Sequence, residues 1–192
     1  MSILLDKLQG QTREGQARLD GHPALHRLLQ ADVTSTAYAG VLGQLFGFYF
    51  PLEIAYEQSP ACLLLTEFFP RQATKNLMLD VLKQGVNPNS LPLETLQEPF
   101  FGLEEAIAFL YLRESLTLNG RAISENLEKT LGILPDRDNR FFAERGKSTD
   151  AAFTGALAQV EGGIDADKTV QFAVQLFKRL ENWLDKGVQA GV

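Results

Sequence analysis

The sequence predicts an all-α fold built as one domain of 192 residues. Apolar residues recur at the three- and four-residue intervals of a helix along most of the chain. Alternating apolar and polar runs, the mark of half-buried strands, are scarce. The periodic segments tend to open on Ser, Thr or Asp and to stop at Gly or Pro, which is the punctuation of helix ends.

The first helix carries Leu5, Leu8, Thr12, Gln16 and Leu19 on one face and stops at Gly21. Asp20 is a candidate cap for a short second helix with Pro23 in its first turn and Leu25, Leu28 and Leu29 facing inward. Asp32, Thr34 and Ser35 offer N-caps for a long helix over 37–58, which Ser59-Pro60 ends. Residues 61–66 fit no single pattern. A helix over 70–83 places Leu77, Val81 and Leu82 inward. The turn residues of 85–92 make a loop, the best linker candidate, but its flanks are alike and one domain is expected. A helix over 102–118 buries Ala106, Phe109 and Leu110, then bends or loosens at Ser115, Asn119 and Gly120, which are weak helix formers. The pattern resumes through Ile123, Leu127 and Leu131 and stops near Gly132. Two further helices are predicted over 149–160 and 168–186.

Composition narrows the function. With 18 Lys and Arg against 24 Asp and Glu, the net charge is −6, which argues against a phosphate-backbone binder. The single cysteine, Cys62, excludes an internal disulfide and any multi-cysteine metal site. No apolar leader opens the sequence and no apolar run reaches the length of a membrane span, so the expectation is a soluble cytoplasmic protein without a membrane partner.

Few residues point to chemistry. Gln16 falls near the middle of the first helix's apolar stripe, either as a satisfied core amide or facing an internal pocket. His22 and His26 stand four apart, but no third ligand lies nearby, and a capping and surface role is the simpler reading. Cys62 reads as an inert thiol, and Phe46, Phe48, Tyr49, Phe50 and Tyr56 as core. Glu104, Glu105 and Glu114 read as solvated carboxylates. There is no P-loop, dinucleotide fingerprint or Gly-x-Ser-x-Gly.

The stretch from Phe109-Leu110-Tyr111 through Ser115-Leu116-Thr117-Leu118-Asn119-Gly120-Arg121 to Ile123 resembles the distal-helix signature of bacterial haem oxygenases, most closely the bacteriophytochrome-associated type. Thr12-Arg13 through Leu19-Asp20 is similar to that family's first-helix motif T-R-x-x-H-x-x-L-D. Phe46-Gly47-Phe48-Tyr49 with Pro51-Leu52-Glu53 resembles Y-G-F-Y-x-P-L-E. Phe141-Phe142 to Gly146, then Phe177 to Leu184, resembles F-F-x-x-Y-G and F-x-x-L-E-x-W-L. The four stretches run in order over nearly the whole chain.

The resemblance implies a haem-oxygenase-type helical fold, with haem held between a proximal helix bearing His and a kinked distal helix. It implies opening of haem to biliverdin, CO and iron, with electrons from a ferredoxin or reductase. The departures fall on that site. Gln16 stands where the proximal His would be, Ser115 and Asn119 where the first two distal glycines would be, and only Gly120 is kept. Ser115 and Asn119, four apart on a helix, would project from the haem-facing side. The stretch 150–165, where the family places a base for the propionates, has no Lys or Arg. The expectation is a degenerate or remodelled pocket around Gln16, Ser115, Asn119 and Gly120. It would bind a tetrapyrrole or another small ligand without normal turnover, or close on itself and leave an interaction protein. The alternative is an active haem oxygenase with a non-standard axial ligand.

Overall fold

The computed structural model describes residues 2–65, 73–95, 102–135, 137–145 and 151–189. Among them every regular element is helical, so the fold is all-α. No helix among them is long and apolar enough to cross a membrane.

Helix α1 (Ile3–Asp20) starts at Ser2, whose hydroxyl accepts the Leu5 N–H, and ends at Gly21. Its buried stripe is Leu4, Leu8, Thr12, Gly15 and Leu19. Gln16 is therefore at the edge of the stripe rather than its centre, and is half-buried. Helix α2 (Pro23–Arg27) is capped by His22, whose Nδ1 accepts the Ala24 N–H at 3.2 Å. Asp20, the cap expected from sequence, is instead the last residue of α1. Helix α3 (Ser35–Glu57) is capped by the Thr34 hydroxyl, and its centre from Val41 to Tyr49 is buried all round. A helix buried on every side shows no amphipathic period.

Helix α4 (Pro60–Leu64) occupies the segment that fitted no single pattern. Helix α5 (Ala73–Lys83) follows, with the first residues of the expected 70–83 helix outside the described set. The 85–92 loop contains one 3-10 turn at Pro88–Ser90. Helix α6 (Leu103–Ser115) and helix α7 (Gly120–Leu131) replace the single loosened helix expected there. Helix α8 (Arg140–Arg145) has no counterpart in the sequence reading. Helices α9 (Ala151–Val160) and α10 (Ala166–Gln189) are the last among the described residues.

Helix α10 organises the packing. It lies along both α6 and α1, with Ala173, Phe177, Leu180 and Leu184 buried at that junction. Helix α8 sits between α5 and α7. Its first turn is held by Asp80 of α5, which is fully buried and accepts the Phe141 N–H at 2.9 Å. The expected aromatic core is present, with Phe46, Phe48, Tyr49 and Tyr56 buried and Phe50 packed against them.

Candidate functional site

The break between α6 and α7 faces the middle of α1, and the sequence-predicted residues meet there. Regular helix stops at Ser115, and Leu118 and Asn119 both take left-handed backbone, with φ of 49° and 51°. Side chains disfavour that conformation by about 1 kcal/mol or more each. Burial of Leu116 and Leu118, both fully enclosed, offsets the strain.

A broken helix leaves carbonyls without intrahelical partners, and buried carbonyls need donors. Two side chains from outside supply them. Gln16 Nε2 donates to the Ser115 carbonyl at 3.0 Å. Arg145 Nη1, from α8, donates to the carbonyls of Arg113 and of Leu116. The Arg145 guanidinium lies over the rings of Tyr49 and Phe141, at 5.5 and 5.0 Å from their centroids. Such stacking favours a cation out of water.

Two more bonds tie α1 to this region. Asn119 Nδ2 donates to the Asp20 carbonyl at 2.5 Å. The Thr12 and Tyr111 hydroxyls lie 3.0 Å apart, and burial pushes the Tyr111 phenol upward. Burial likewise raises the Asp20 carboxyl, against the opposing pull of the Asn119 backbone N–H and the Thr117 hydroxyl. Phe177 of α10 fills what remains. Its Cβ is 3.2 Å from where a side chain on Gly15 would begin, and its ring centroid is 6.2 Å from that of Tyr111. Helix α1 and the α6–α7 break therefore meet directly at Thr12, Gln16 and Asp20.

Each predicted site residue has a structural partner here. Gln16 reaches the backbone of Ser115, not its side chain. Ser115 ends α6, and its buried Oγ faces the Tyr111 hydroxyl. Asn119 reaches the backbone of α1. Ser115 and Asn119 do not share a helical face, because the helix that would align them stops between them. Gly120 is required by α8 rather than by α1: a Cβ there would lie 2.6 Å from both Arg145 Cβ and the Phe142 carbonyl oxygen.

The other candidates resolve separately. His22 is buried, and both ring nitrogens are engaged, Nδ1 with Ala24 and Nε2 with Asp185 at 3.2 Å. His26 is exposed and bonded to Gln30. Glu114 is buried, not solvated, because Arg113 lies between it and Glu53, at 3.2 and 3.0 Å. Glu104 and Glu105 are half-buried beside Lys168. Cys62 is half-buried. The sequence reading missed Thr12–Tyr111, Phe177 and Arg145 as parts of this seam. Phe177 had the signal of an aromatic at helical spacing, but spacing does not tell which neighbour it fills against.

No known protein-family model matches the chain, and no curated protein is similar enough to it to count as a match.

Proposed function

We propose that this chain is a divergent haem-oxygenase-type protein that no longer degrades haem and acts by binding rather than by catalysis. The observation that carries the reading is the 3.0 Å bond from Gln16 to the Ser115 carbonyl. It occupies the position where, by the resemblance, iron and its axial ligand would lie. An amide that donates its N–H to a carbonyl has no lone pair there for a metal, whereas imidazole is a common proximal haem ligand. Seating a macrocycle between α1 and the α6–α7 break would also require loss of the Asn119–Asp20 bond and displacement of Phe177. The residues present do not fit a haem at that position.

The test is restoration. The variant carrying Gln16→His, Ser115→Gly and Asn119→Gly removes both bridging side chains and supplies an imidazole. It is expected to bind haem with the spectrum of a histidine-ligated iron, and the native chain, given haem and a reductant, to release no biliverdin. Failure to bind haem both in the triple variant and in the same variant with Phe177→Ala added would overturn the alignment of these positions with the family. Biliverdin from the native chain would favour the active-enzyme alternative.

A further inference from the structure

A second site stands apart from the α1–α6 seam. A groove of about 1100 Å³ opens between α2, the first half of α3, the 86–92 loop and the end of α10. That is at the upper end of the range of small-molecule sites. On the α3 side, Ala37 and Gly40 present nothing larger than a methyl group, and Gly43 is covered by the Leu91 side chain. Leu91 and Pro92 form a second wall, fixed over α3 by the Glu94 N–H bond to the Gly47 carbonyl at 2.9 Å and by the Arg179–Glu94 pair at 3.0 Å. Trp183 forms the third, its indole N–H bonded to the Gln44 carbonyl at 2.8 Å.

Two features say what the groove would hold. The first is charge. Among the described residues no Asp or Glu lines it, although the chain carries a net charge of −6, and the charged residues that do are Arg27 and Lys186. Arg27 is already paired with the exposed Asp32, whereas Lys186 has no acidic partner among the described residues and lies 5.9 Å from the Trp183 ring centroid. The second is Gln44. It is 93% buried at the groove wall against Gly187, and neither amide atom has a hydrogen-bond partner. A buried polar group left unpaired is costly; the amide is enclosed against Gly187 rather than open to the groove, so a bound molecule's polar group removes that cost once the side chain turns outward.

We propose that this groove binds a planar aromatic anion, its ring system against Trp183 and the small residues of α3, its carboxylate or sulfonate toward Lys186, and a polar substituent at Gln44. The site is independent of the haem reading, and neither stands or falls with the other.

Trp183 is the only tryptophan, so its emission reports on the groove directly. The probe is 8-anilinonaphthalene-1-sulfonate, with N-phenyl-1-naphthylamine as its uncharged counterpart. The sulfonate is expected to quench Trp183 saturably at one site per chain. The uncharged counterpart and the Lys186→Glu variant are each expected to bind about three- to fivefold more weakly, as for loss of one exposed charge contact. Lys7→Glu, the same charge change on the far part of α1, should leave binding unchanged. Gln44→Met should weaken binding while raising the unfolding midpoint, because it removes the unpaired amide; a Gln44 with only a structural role would not raise it. Absence of saturable quenching overturns the proposal, as does equal affinity for the charged and uncharged dyes or for the native and Lys186→Glu chains.

Discussion

Gln16 on α1 and Ser115 at the end of α6 are joined by a hydrogen bond from amide to backbone carbonyl, 3.0 Å long and spanning 99 positions of sequence. The carbonyl is one that the helix break would otherwise leave without a donor, so the residue at position 16 serves the backbone of the opposite element. Gln16→Ala removes the donor and is expected to cost about 1–2 kcal/mol of stability, read as a lower urea midpoint with the slope unchanged. Gln16→Glu should cost at least as much, because a carboxylate has no N–H to give.

The break itself gives a second prediction. Asn119 combines left-handed backbone with a bond to the Asp20 carbonyl. Asn119→Ala loses the bond and strains the backbone, and should destabilise by about 2 kcal/mol. Asn119→Gly loses only the bond and should destabilise by about half as much. Urea unfolding of the two variants side by side separates the terms.

Glycine positions divide by what surrounds them. A methyl at Gly120 would meet Arg145 Cβ and the Phe142 carbonyl at 2.6 Å, whereas one at Gly155 in α9 would meet nothing within 4 Å among the described residues. Gly120→Ala is expected to destabilise by about 2–3 kcal/mol through overpacking. Gly155→Ala is expected to stabilise by about 0.5–1 kcal/mol through helix propensity and a less flexible unfolded chain. Thermal unfolding of the pair should move in opposite directions.

Asp80 should make stability fall with rising pH. Burial raises its carboxyl above the ordinary 3.8, opposed by the Phe141 and Arg140 N–H groups that face it. The native state therefore holds this proton more tightly than the unfolded chain. The stability contributed is complete below 3.8 and is lost as the pH climbs through the higher native value. Asp80→Asn keeps an acceptor for Phe141 and should flatten that descent, measured as unfolding free energy across the acid range. An unchanged slope would mean that the carboxyl is not held as described.

Helices α1, α7 and α10 were legible because each has a periodic apolar face, and α3 and α6 because a long apolar run lies between recognisable helix starts and stops. Helix α8 was not. Its six residues are too few for a period to show, and its first turn depends on Asp80, contributed from 61 positions earlier. The cap of α2 misled for a related reason. Asp20 is the commoner capping type, yet it still lies within α1, and His22 is the residue with extended backbone at the right place. Position 16 was legible as an odd residue on an apolar face. Its partner was not, since a backbone carbonyl freed by a helix break leaves no mark on residue type. Gln44 was masked by the uniformly apolar centre of α3, where no polar face exists to contrast with it.

The most direct test of the central claim is a haem titration of the native chain, followed in the Soret region. Closure of the α1–α6 seam by Gln16, Asn119 and Phe177 predicts no saturable Soret shift once the Trp183 groove is blocked with excess 8-anilinonaphthalene-1-sulfonate. A saturable one-to-one Soret shift that survives both Lys186→Glu and excess sulfonate dye would contradict the account, since haem would then occupy a seam that these contacts close rather than the Trp183 groove.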